Sequence, residues 1–151
     1  MSPASPPPAK LGPEFLQSFV IGANDYAGAG QVSIAVKNLL KEAGFAADLL
    51  RRVAIVAFEA EMNAVMYGGG GSMSVYLSPD TVRLVIADQG PGIPDLELAM
   101  QEGWSTATPE MREMGFGAGM GLPNIKRNSS RLVIDTGAGR GTRLQVEIDL
   151  R

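Results

Sequence analysis

The stretch that decides the fold is Asp48–Gly71, DLLRRVAIVAFEAEMNAVMYGGGG. Leu49, Val53, Val56, Ala60, Ala64 and Tyr67 recur three or four residues apart, the period of one helix face. Asp48 reads as the N-cap, because a short acidic side chain accepts a hydrogen bond from the free N–H groups of a first turn. The four glycines Gly68–Gly71 end the helix, since glycine loses the most freedom in helical order. Glu59 and Asn63 are four residues apart in this helix, so both polar side chains lie on one face about one turn from each other. Taken alone, such a pair is most often two solvated positions, and the surrounding chain has to decide. Glu61 projects elsewhere and is assigned no role.

Working outward, two short apolar runs follow the glycines, Ser72–Leu77 and Val82–Ala87, with Ser78-Pro79-Asp80 between them. They read as a hairpin of antiparallel strands, the second of which delivers Asp88 at its end. Upstream, Val32, Val36, Leu39, Leu40 and Ala43 mark a helix over Gln31–Glu42 with Gly44 as its stop, and Phe15–Ile21 favours a first strand. Downstream, a short helical segment is expected near Leu96–Met100 and a mobile loop over Gly103–Gly121. A helix over Leu122–Ser130 and two strands, Arg131–Asp135 and Thr142–Leu150, close the chain around the turn Gly137–Gly141. Residues Met1–Pro13 hold five of the ten prolines, a composition that keeps backbone extended, so 1–13 is read as a disordered tail and 14–151 as one folded domain. The expected fold class is α/β, a two-layer sandwich with a mixed, mostly antiparallel sheet and helices on one face.

Composition narrows the chemistry. The 151 residues carry a formal charge of −3, which argues against a partner bound through nucleic-acid phosphates. There is no cysteine and no histidine, so disulfides, Cys/His metal sites, Ser-His-Asp triads and thiol nucleophiles are excluded. Chemistry has to run on carboxylates, amides, hydroxyls and backbone, and the chain cannot accept phosphate on a histidine of its own. No apolar run reaches the roughly 18–20 residues that span a bilayer, and the N-terminus lacks a secretory pattern, so a cytoplasmic location is expected.

Three further clusters carry chemistry. Asp88-Gln89-Gly90-Pro91-Gly92-Ile93-Pro94 sets a carboxylate at a strand end before two spaced glycines. Such a carboxylate can accept from an exocyclic amine, and glycine lets backbone approach a flat ring; a plain Gly-Pro turn is the simpler reading. Gly115-Phe116-Gly117-Ala118-Gly119-Met120-Gly121-Leu122 opens a helix with alternating glycines. Free N–H groups there suit phosphate oxygens, though a flexible linker has the same composition. Gly139-Arg140-Gly141-Thr142 is an ordinary hairpin turn by itself.

Their order and spacing, Glu59 with Asn63, then Asp88-x-Gly90-x-Gly92, then the glycine run to Gly121, then Gly141-Thr142, resembles the N box, G1 box, G2 box and final Gly-Thr of the GHKL (histidine-kinase-like) ATPases, over about residues 15–150. The short length and the run from Gly117 to Arg127 resemble the stand-alone anti-sigma-factor kinases and the stressosome switch kinases. The resemblance implies ATP and Mg²⁺ as cofactors, with Glu59 as general base and Asn63 as metal ligand. Asp88, Gly90, Gly92 and Ile93 would hold the adenine, Gly115, Gly117, Gly119, Met120, Gly121 and Leu122 the phosphates, and Thr142 would lie beside the nucleotide. Arg112, Lys126 and Arg127 are further candidates for phosphate contact. The implied partners are a STAS-domain anti-sigma antagonist, a sigma factor, or both, with a homodimer formed through the N-terminal face. Two rivals stay open: a non-catalytic module in which ATP gates partner binding, and an ATPase subunit of a split histidine kinase.

Overall fold

In the computed structural model of the chain, the described residues are 14–23, 27–67, 69–93, 96–101, 121–137 and 139–150. Their elements run β1 (Glu14–Ile21), α1 (Gln31–Glu42), α2 (Ala47–Met66), β2 (Gly71–Ser78), β3 (Thr81–Asp88), α3 (Leu96–Ala99), α4 (Gly121–Asn128), β4 (Arg131–Gly137) and β5 (Gly141–Asp149). The strands form one five-stranded sheet in the order β1-β2-β3-β5-β4. Every neighbouring pair is antiparallel, so the mostly antiparallel sheet expected from sequence is antiparallel throughout the described strands. The proline-rich tail and most of the expected loop, residues 102–120, lie outside the described residues.

The two-layer arrangement follows from period two. Val82, Leu84 and Ile86 of β3 and Leu144, Val146 and Ile148 of β5 are buried on one face of the sheet, and α1, α2 and α4 supply the apolar cover. The opposite face keeps the polar set, including Arg83, Arg131 and Glu147, joined by contacts of 3.4 Å from each arginine to the glutamate. The central helix is α2, whose stripe of Val53, Val56, Ala57 and Ala60 is fully buried. Truncating one large side chain in such a core, as in Leu84→Ala, typically costs about 2–5 kcal/mol.

Helix ends are fixed in ways that local patterns do not reveal. Ala46, in extended backbone at φ −66° and ψ 153°, is the N-cap of α2 and makes no side-chain capping bond. Asp48 therefore sits in the first turn rather than at the cap, where its charge still suits the positive end of the helix dipole. At α1 the cap comes from a distant element. Glu61, 2% exposed, accepts the N–H groups of Gly30 at 3.0 Å, Val32 at 3.3 Å and Ser33 at 2.9 Å. One buried carboxylate so satisfies three donors of α1 and ties it to α2. At its other end α4 is held by Arg52 of α2, whose Nε donates to the carbonyl of Asn128 at 3.2 Å.

Candidate functional site

Two clusters flank the end of α2. The first is built on the closing ends of β3 and β4 and the start of β5. Asp88 and Thr142 are direct partners across β3 and β5, and Thr136 pairs with Thr142 across β4 and β5. Asp88 Oδ1 accepts the N–H of Gly90 at 3.0 Å and of Thr142 at 3.2 Å, which leaves its other oxygen to an incoming donor. Burial pushes the Asp88 carboxyl above its ordinary value, and the two N–H bonds oppose that shift.

Thr136, which sequence reasoning missed, ties this end together. Its Oγ1 accepts the N–H of Ile93 at 2.8 Å, lies 2.9 Å from Thr142 Oγ1, and donates to the carbonyl of Gly141 at 3.2 Å. Gly92 has φ 82°, and a Cβ on it would stand 2.3 Å from the carbonyl oxygen of Gly137. The glycine is thus required by the approach of two backbones, a firmer reason than clearance for a ring. Gly141, at φ 75°, meets the same limit against the Asp88 carbonyl, at 2.2 Å.

The second cluster lies where α2 faces the start of α4. A Cβ placed on Gly121 would be 3.3 Å from Asn63 Oδ1 and 3.4 Å from Glu59 Oε2. The absence of a side chain at Gly121 therefore leaves room next to both polar groups, and Glu59 and Asn63 do share one helix face as their spacing required. Glu59 Oε1 accepts from Asn124 Nδ2 of α4 at 3.2 Å. Continuing along α2 by one more turn brings Tyr67, which lines a cavity of about 910 Å³ together with Asp88, Gly90, Thr136 and Thr142. The spacing Glu59, Asn63, Tyr67 runs along one stripe of the helix from the carboxylate to that cavity.

Other expected site residues separate. Leu122 is 7% exposed and belongs to the core, so it anchors α4 rather than offering a surface to a ligand. Ile93 packs its side chain partly against the core and engages the site through its N–H. Gly90 serves through its N–H to Asp88. Gly115, Gly117, Gly119, Met120 and Arg112 lie outside the described residues. Arg127 is bonded to Asn124 Oδ1 at 3.2 Å, and Lys126 is an exposed position of the same helix.

These features fit a purine nucleotide with a phosphate chain. A carboxylate with one free oxygen at the mouth of a cavity matches an amino donor, and a side chain-free helix start beside an amide and a carboxylate matches phosphates and a hard cation. Among the described residues no three His, Cys, Asp or Glu groups gather to hold an ion by themselves. Nor is any described helix long and apolar enough to cross a membrane.

Residues 31–151 match the family described as histidine kinase-, DNA gyrase B-, and HSP90-like ATPase. The chain is 32% identical over 113 residues to the serine/threonine-protein kinase RsbT of Bacillus subtilis, covering 72% of this chain and 79% of that protein. It is 31% identical over 101 residues to the anti-sigma F factor of Geobacillus stearothermophilus, covering 63% of this chain and 66% of that one. Among solved structures, a mycobacterial sensor histidine kinase, MprB, aligns at 23% identity and a TM-score of 0.49 over 66% of this chain and 71% of its own. The protein belongs to the histidine kinase-, DNA gyrase B- and HSP90-like ATPase family, and within it to the group that holds the serine/threonine-protein kinase RsbT and the anti-sigma F factors.

Proposed function

We propose that the protein transfers the γ-phosphoryl group of ATP to a serine or threonine of a STAS-domain regulator, and that this controls the release of a sigma factor or an equivalent output. The observation that carries the reading is the convergence of Glu59 Oε2 and Asn63 Oδ1 beside Gly121, at 3.4 and 3.3 Å from where its Cβ would be. Bound ATP with Mg²⁺ would supply the phosphoryl group and a hard cation that prefers oxygen ligands. Asn63 Oδ1 would be such a ligand. Glu59, one turn away, accepts the proton of the attacking hydroxyl and orients it, which is most of what phosphoryl transfer asks of a protein side chain. Asp88 takes the adenine amino group on its free oxygen, with Thr136 and Thr142 holding the surrounding backbone. A module that only gates a partner has no use for a carboxylate beside the metal ligand, so Glu59 favours the kinase over that rival.

With no histidine in the chain, phosphate cannot be carried on a histidine of its own. The exposed edge strand β1, with Val20 85% and Phe15 54% exposed, supports a homodimer through the N-terminal face. The test is incubation with labelled ATP and Mg²⁺, with and without each STAS-domain protein of the same genome. Label on a serine or threonine of one of them is the expected result, whereas nucleotide binding with no transfer would favour the gated binder.

A further inference from the structure

We propose that Asn124 is the positioning residue of the base: it holds Glu59 Oε1 so that Oε2 is the oxygen presented next to Asn63. The inference rests on the reading of Glu59 as base and adds a residue that none of the four sequence clusters assigns. Asn124 lies in α4, sixty-five positions from Glu59, and its Nδ2 donates to Glu59 Oε1 at 3.2 Å. On its other side Asn124 Oδ1 accepts from Arg127 Nη1 at 3.2 Å. These two neighbours fix the amide's orientation by chemistry. A carboxylate only accepts and a guanidinium only donates, so the reversed amide would face an oxygen with an oxygen and a nitrogen with a nitrogen.

The consequence for Glu59 is asymmetric. A glutamate side chain has three rotatable bonds and, left to itself, samples several rotamers. The bond to Oε1 selects one of them. In that rotamer Oε2 faces the space beside Gly121, where Asn63 Oδ1 also points. Asn124 is itself half-buried, between the buried Pro123 and Ile125, and its backbone carbonyl accepts from Asn128 Nδ2 at 2.9 Å. The donor is therefore anchored to the helix that begins at Gly121, and the same short helix supplies both the opening beside the base and the group that aims it. Misplacing a reacting group by about 1 Å can cost on the order of 100-fold in rate, so the bond matters to kcat more than to nucleotide affinity.

Asn124→Asp and Asn124→Ala separate this role from a structural one. Aspartate keeps the shape but replaces the donor with a second carboxylate against Glu59, while alanine only removes the donor. The rate of γ-phosphate loss from ATP with Mg²⁺ is read as the sum of free phosphate and labelled acceptor protein, alongside the melting temperature. We expect kcat to fall about 10- to 100-fold with alanine and further with aspartate, and KM for ATP to stay within about threefold. In the nucleotide-free protein, the Asn124 side-chain amide proton signal should move upfield on Glu59→Ala as the bond is lost. If aspartate is as active as the parent or milder than alanine, or if the amide signal ignores Glu59→Ala, the positioning role is overturned. Glu59→Gln, run in parallel, keeps the two claims apart. Wild-type kcat in Glu59→Gln would remove the base assignment and this role with it, whereas loss there with full kcat in both Asn124 variants would remove the positioning role alone.

Discussion

The N–H of Thr142 donates to Asp88 Oδ1 at 3.2 Å, and the two residues are also direct partners across β3 and β5. The carboxylate is thus locked to the neighbouring strand through one oxygen and offers the other. Asparagine can repeat the lock, because its Oδ1 accepts the same N–H groups of Gly90 and Thr142, but its Nδ2 then stands where the free acceptor was. Asp88→Asn should leave the fold intact and weaken ATP binding at least about tenfold, as a donor meets a donor. The pH dependence has a definite sign. Burial raises the Asp88 pKa in the folded state, so the ionised carboxylate is a cost to stability above that pKa and none below the unfolded value. Asp88→Asn should therefore melt at or above the parent at neutral pH, with the difference vanishing as pH falls through the Asp88 pKa. Isothermal titration and melting curves at several pH values check both parts.

Glu61 should prove a stability residue without a catalytic part. Its carboxylate is 2% exposed and takes three N–H groups at the start of α1. Glu61→Ala leaves those donors buried and unpaired, at a cost of about 2–4 kcal/mol. Glu61→Gln should also destabilise, since its amide nitrogen cannot accept from the same donors. Urea denaturation monitored by circular dichroism measures the loss, and an unchanged midpoint in Glu61→Ala would contradict the capping role.

Gly92→Ala tests the strand-to-loop contact. The substitution asks alanine to hold φ 82° and sets a Cβ 2.3 Å from the Gly137 oxygen. The loop must move, which breaks the Ile93 N–H bond to Thr136. A loss of about 1–3 kcal/mol in stability is expected, with weaker nucleotide binding, both readable by thermal shift with and without ATP. Full ATP-induced stabilisation in this variant would show that the loop is not part of the nucleotide site.

The dimer is tested at β1. Val20, 85% exposed on an edge strand, should be covered by the second copy. Light scattering at tens of micromolar should give a dimer for the parent and a monomer for Val20→Glu, because burying an unpaired carboxylate in such an interface is unfavourable. A monomeric parent at that concentration contradicts the arrangement.

What the sequence made legible was whatever a period or a chain neighbour encodes. The apolar stripe of α2 fixed its buried face, and with it the shared orientation of Glu59 and Asn63. Alternation in β3 and the turn before it placed Asp88 at a strand end. What stayed hidden depends on contacts across the fold. Glu61 looks like an ordinary polar helix position because its three partners lie 28–31 residues away. Thr136 falls just past the strand expected over Arg131–Asp135, and nothing local announces that its hydroxyl joins two strands and a loop. Asn124 sits in an eight-residue helix, too short for its polar positions to form a pattern. Asp48 misled in the opposite direction, since a good capping residue need not be the cap when the chain enters the helix two residues earlier.

The central claim is that Glu59 and Asn63 form a reaction centre for phosphoryl transfer to a protein hydroxyl. Single-turnover transfer from labelled ATP and Mg²⁺ to the STAS-domain acceptor, comparing the parent with Glu59→Gln at equal ATP occupancy, tests it most directly. The variant should bind ATP as the parent does and transfer about 10²- to 10⁴-fold more slowly, the range a positioned base supplies. Transfer by Glu59→Gln at the parent's rate would contradict it.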